Sequence, residues 1–166
     1  MLTRTEKISR SCILITLGML LGYLESMFNF IPFPGVKPGL SNLVVLYALY
    51  SLDIKYTYSI GALKSILNGI LFSGITGIFY SLTSTLVSIT VMYIIKKKFY
   101  PDVLSEYGIG MLGSSLFNST QLVVASILLK TLSVYYYLPV MIFISVFTGA
   151  LISFIYRLTI KQIRGL

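Results

Sequence analysis

Residues 18–44 read GMLLGYLESMFNFIPFPGVKPGLSNLV. An apolar helix climbs through this stretch and carries Glu25. It breaks at Pro32 and Pro34, then turns back through Gly35-Val36-Lys37-Pro38-Gly39 into a second apolar run. A carboxylate, an ammonium and an amide (Glu25, Lys37, Asn42) thus stand close together in a chain that is otherwise nearly all oil. Such groups are expensive at membrane depth and tend to mark pathways or binding sites there. The span is expected to form one wall and the lid of a binding site facing the outer half of a bilayer.

The rest of the composition agrees with a membrane setting. Of 166 residues, 56% are hydrophobic and 11% charged, with a mean hydropathy of +0.89. A soluble domain carries roughly a quarter charged residues, and a core of this size could not hide the apolar excess. The net charge of +8 could suggest nucleic acid, but the basic residues cluster at the ends of apolar runs, where they act as topology signals. The single cysteine, Cys12, rules out an internal disulfide. The absence of His removes the commonest metal ligand and general base. With no Trp, the 13 tyrosines must supply the interfacial aromatic belt. The first apolar run is too long for a signal-peptide core and no A-x-A-like site follows it, so it is expected to stay as a membrane helix.

A membrane-spanning helix needs ~20 apolar residues. The runs predict six helices over about residues 8–31, 40–52, 56–72, 78–95, 108–129 and 138–156, in one transmembrane domain covering residues 1–166. Gly74 and Gly77 mark a tight turn. The second and third runs are short and could form a broken or tilted pair. The apolar runs are too long, and lack the alternation, for a β-barrel. With the N-terminus inside, Arg4, Lys7, Arg10, Lys55, Lys96, Lys97, Lys98, Arg157, Lys161 and Arg164 all fall on the inner side, leaving only Lys37 and Lys130 outside. Both termini are therefore expected to be cytoplasmic.

The polar residues inside the runs are the candidate site. Lys64 and Asn68 lie four apart and share a helix face, and Asn118 and Gln121 do the same at three apart. With Glu25, Lys37 and Asn42 they can converge in the outer half of the bundle, either as a pocket for a ligand with polar or anionic parts or as an internally neutralised set. Gly18 and Gly22 form G-x-x-x-G, a spacing that lets helix backbones approach closely. It can serve an internal crossing or a docking groove for a membrane partner. The Tyr135-Tyr136-Tyr137 run reads as an interfacial anchor. No His, Cys pair, D-D-x-x-D cluster or P-loop is present. An enzyme made of this chain alone, and a metal or other cofactor, are therefore not expected.

Gly22-Tyr23-Leu24-Glu25, the P-G-V-K-P-G-L-S-N-L-V segment at residues 34–44, and Asn118-x-x-Gln121-Leu122-Val123-Val124-Ala125 resemble the Gx transporter family, whose members are often labelled heptaprenyl diphosphate synthase component I. Pro38 and Ser41 depart from the family's usual G-x-K-L-G-L-A-N. Lys64 stands where Arg is frequent, and Phe117 where His is. That family is similar to the substrate-binding S components of energy-coupling factor transporters, which are six-helix bundles of bacterial cytoplasmic membranes. The resemblance implies capture of a small molecule from outside, a transmembrane coupling protein and two cytoplasmic ATPases as partners, contact with the coupling protein through Gly18 and Gly22, and a lid at residues 34–39. The synthase label implies an alternative, a non-catalytic subunit or scaffold beside polyprenyl diphosphate or quinone synthesis, or beside flavin-linked electron transfer. Nucleic acid is not an expected partner.

Overall fold

The computed structural model describes residues 3–27 and 39–164. Among these, regular structure is entirely helical: α1 (Arg4–Met27), α2 (Asn42–Ser51), α3 (Ile54–Asn68), α4 (Gly74–Phe99), α5 (Glu106–Leu129) and α6 (Leu138–Arg164). Residues 28–38, which hold Lys37 and most of the expected lid, lie outside the described set.

Among the described residues there are not six separate helices long enough to span a membrane. Four helical stretches are long and apolar enough to cross a membrane: Arg4–Met27, Ile54–Phe99, Glu106–Leu129 and Ser133–Gln162. A fifth, Asn42–Ser51, is shorter. The stretches expected at 56–72 and 78–95 are joined with no intervening loop, because the five residues Gly69–Ser73 continue α3 as a wider π-helical turn and α4 begins at Gly74. Gly74 opens α4 at φ +70°, a conformation that suits glycine and lets the chain double back. The two arms then run antiparallel. Ser65 Oγ lies 3.1 Å from Thr85 Oγ1, and Tyr58 Oη lies 2.7 Å from Thr90 Oγ1 further down.

The expected helix at 40–52 is corrected in kind. At ~1.5 Å per residue the 10 residues of α2 reach only about 15 Å, half of a ~30 Å hydrocarbon layer. It is buried nearly all round, with Val44, Val45, Leu46, Ala48 and Leu49 at most 3% exposed. A helix apolar on every side belongs in a core. It packs on α1, α3, α4 and α6, while α1 and α6 stand to either side of it. The last helix also runs further than the expected residue 156, because the polar turns beyond Tyr156 simply continue the helix.

One end of the bundle collects the basic residues. Lys7 pairs with Asp53 at 2.6 Å, joining the start of α1 to the α2–α3 junction. Lys96 Nζ donates to the Leu49 carbonyl at 2.7 Å and lies over the Tyr50 ring. The Tyr50 ring packs on Tyr100 and Tyr156. The core has two apolar parts. One, toward the basic end, includes Leu14, Leu46, Ile60, Ile89, Ile109 and Ile152. The other, toward the far end, is Tyr80, Leu122, Ala125, Val134 and Met141. In α3, α5 and α6 the buried polar residues Lys64, Asn118, Gln121 and Ser145 lie in sequence between or just beyond these positions.

Small residues set the closest helix contacts. A Cβ on Gly149 would stand 2.5 Å from Met111 Cα and 2.7 Å from the Gly110 carbonyl oxygen, so α6 touches the α5 backbone there. Gly149→Val is expected to force these helices apart. At about 1–3 kcal/mol for overpacking, the melting temperature should fall by roughly 3–10 °C. Circular dichroism of the purified protein in detergent measures this.

Candidate functional site

The first turn of α2 sits at the junction of α1 and α3. Ser41 precedes α2 with φ −61° and ψ −12°. Its backbone N–H donates to Glu25 Oε1 at 3.3 Å. Its carbonyl and its Oγ accept from Lys64 Nζ at 2.8 and 3.1 Å. Asn42 Oδ1 accepts from the same ammonium at 3.1 Å. Glu25, Asn42 and Lys64 are 3%, 5% and 1% exposed. Ser41 is therefore a bridge: one residue engages a carboxylate through its N–H and an ammonium through its oxygens. A carboxylate beside a helix N-terminus also meets the positive end of the helix dipole.

Asn68 lies one turn beyond Lys64 on the same face of α3. Its Nδ2 donates to the Gly18 carbonyl at 3.2 Å. Only the NH2 group can serve a carbonyl, so the amide orientation is settled. Among the described residues, Asn68 Oδ1 is then left buried without a partner, as is Asn42 Nδ2. Glu25, Ser41, Asn68, Phe117 and Gln121 line one cleft of about 10 Å3, room for a single water. Glycines and serines from α1, α3 and α4 form much of its remaining wall.

The cleft is far from the basic end. Glu25 follows Lys7 by 18 residues on α1, about 27 Å along the axis at ~1.5 Å per residue.

The expected site residues separate into groups. Glu25, Asn42 and Lys64 share the Ser41 network, and Glu25, Asn68 and Gln121 share the cleft. Asn118, fully buried, donates through Nδ2 to Ser145 Oγ at 2.7 Å, tying α5 to α6 away from the cleft. Lys37 lies outside the described residues. Gly18 and Gly22 are buried, and their Cα atoms face Val44, Lys64 and Asn68. A Cβ on Gly18 would come within 2.9 Å of Val44 Cγ2, and one on Gly22 would strike the Asn68 amide. The G-x-x-x-G spacing thus serves the internal crossing of α1 with α2 and α3.

Sequence reasoning did not single out Ser41, Ser73, Ser81 or Phe117 as site residues. Ser41 acts largely through its main chain, which leaves no mark in residue type, and the others resemble ordinary helix-packing residues.

A second, larger groove of about 400 Å3 opens between α1, α2 and α6 toward the basic end. Its lining is apolar apart from Arg10, Thr159 and the tyrosine hydroxyls of Tyr47 and Tyr156. It offers little polar chemistry of the kind the cleft holds. No group of three His, Cys, Asp or Glu side chains comes together among the described residues.

A family model described as heptaprenyl diphosphate synthase component I matches residues 14–159. No curated protein and no solved structure matches the chain.

Removing one partner from a buried charged network leaves the other uncompensated, a loss of about 3–5 kcal/mol. Glu25→Gln and Lys64→Met are each expected to destabilise the protein. The double variant should lose less than the two single losses combined, by about 0.5–3 kcal/mol, because both act through Ser41. Thermal unfolding of the four proteins in one detergent gives the coupling directly. Strict additivity would remove Ser41 as the link between them.

Proposed function

The chain belongs to the heptaprenyl diphosphate synthase component I family, and from that premise we propose that it is the substrate-binding membrane subunit of a larger assembly. It captures a small molecule from the outer face and passes it to an ATPase-driven membrane partner, in the manner of an energy-coupling factor S component. The chain itself performs no chemistry. Its multi-pass helical build supports this reading. The observation that carries it is the buried Glu25–Ser41–Lys64 network, beside a cleft where Asn68 presents an unsatisfied oxygen. A buried polar group is normally hydrogen-bonded, and one left open asks for a missing partner.

Glu25, Asn42, Lys64, Asn68 and Gln121, with Lys37 from the following segment, are the proposed ligand contacts. Asn118 supports them by holding α5 against α6. The proposed orientation places the basic end in the cytoplasm and the cleft toward the outside, in a bacterial cytoplasmic membrane, following the distribution of Lys and Arg. The family description favours a second reading, in which the chain is the membrane-embedded, non-catalytic component of a polyprenyl diphosphate synthase and its partner is the other synthase component.

Native mass spectrometry of the protein released from gentle detergent is expected to show a retained small molecule, lost in Lys64→Met. Affinity purification from membranes is expected to recover a membrane coupling protein with ATPases. Recovery of a soluble prenyl synthase subunit instead would establish the second reading. Orientation has its own measurement. In a Cys12→Ser background, Thr131→Cys should react on intact cells with a membrane-impermeant maleimide and Thr3→Cys should not. The reverse pattern would put the cleft on the cytosolic side and end the capture model.

A further inference from the structure

Three atoms of one residue engage the two charges of the candidate site, beside Asn42 Oδ1 on Lys64. The Ser41 nitrogen serves the Glu25 carboxylate, while the Ser41 carbonyl oxygen and Oγ serve the Lys64 ammonium. Nitrogen, Cα and carbonyl of a single residue form the skeleton of an α-amino acid. Ser41 is therefore an internal stand-in, held by its own backbone where a free molecule of the same skeleton would be held more strongly. A free ammonium and carboxylate would turn both contacts into ion pairs, and charge-assisted hydrogen bonds are roughly twice as strong as neutral ones.

We propose that the ligand of this site is a small α-amino-acid-type zwitterion, its ammonium on Glu25 and its carboxylate on Lys64, bound by displacing residue 41. This rests on the capture reading above and names its substrate class. Three further observations bear on it. A carboxylate and an ammonium in one apolar interior match a ligand that carries one of each, so binding adds no net charge to the membrane core. An ammonium has three N–H groups, and Asn68 Oδ1, buried and unpartnered on the wall of the cleft, is an acceptor available to one of them. The cleft holds only about 10 Å3 beyond the space that residue 41 fills, which restricts the side chain to a small one. The Gln121 amide on the same wall suits a short polar side chain. Among the described residues, entry requires the turn ahead of α2 to give way. That turn is closed by the Asn42 N–H to the Gly39 carbonyl at 2.9 Å, with Gly39 at φ +90°.

The test is a thermal-shift and calorimetric titration of the full-length protein in detergent. The probes are glycine, L-alanine, L-serine and L-glutamine, set against ethylamine, propionate and the N-acetyl and carboxamide forms of alanine. At least one zwitterion is expected to raise the melting temperature by about 5–10 °C at 100-fold excess over Kd, with no response to the singly charged or blocked forms. Glu25→Gln and Lys64→Met should abolish that response. Ser41→Ala deletes one atom of the stand-in and should bind the same zwitterion roughly fivefold more tightly while melting lower. A purely structural Ser41 would lower the melting temperature and leave affinity unchanged, which would overturn the displacement. Native mass spectrometry of the protein as purified separates the two levels of failure. A retained ligand lacking an amine or a carboxylate sinks the substrate class and leaves the capture reading standing. No retained ligand and no response to any probe sinks both.

Discussion

The structure depends on the way Ser41 is gripped from two sides. Glu25 on α1 and Lys64 on α3 are charged groups in an apolar interior, where an uncompensated ion is far more costly than at a protein surface. The turn that precedes α2 answers both, offering an N–H to one and oxygens to the other. That places the start of α2 deep in the bundle rather than at a membrane surface. It also explains how a helix of only 10 residues can be held there.

Much of the rest follows from this anchoring. With its N-terminal end held among polar groups, α2 runs toward the basic end and surrounds itself with Leu14, Ile60 and Ile152. The glycines of α1 let that helix come close enough for Val44 and Asn68 to lie against its backbone. Asn68 then reaches the Gly18 carbonyl, and its other atom is left facing the cleft. Stability and the proposed capacity to bind thus draw on the same side chains. In the proposed capture model, binding and local rearrangement are one event, as expected where a ligand must exchange with an internal partner.

The site was legible to the extent that residue type betrays depth. Glu25, Asn42, Lys64, Asn68 and Gln121 stand out because few polar groups interrupt long apolar runs, and the structure does gather them. Asn118 stands out equally, yet its partner is Ser145 on α6, 27 residues away. Helical spacing puts Asn118 and Gln121 on neighbouring positions of one face, but it does not say which neighbouring helix each will meet. The Gly18 and Gly22 pair shows the same limit. Their spacing announces a close approach, and only packing reveals that the approach is internal. Ser41 was invisible as a site residue because its role lies mainly in backbone atoms that every residue carries.

By itself the sequence determined the solvent and the local conformation: long apolar runs set helices in a bilayer, glycines and prolines set where they turn, and lysines and arginines mark one end. These properties depend on composition and period within some 20 residues, which any window along the chain contains. The tertiary structure alone decided that α2 is half a span buried in the core, that a π-helical turn joins α3 directly to α4, and that one serine joins a carboxylate to an ammonium. Those outcomes depend on contacts between segments 16–23 residues apart or more. Their energies are set by which desolvated groups finally meet, and neither composition nor period specifies that.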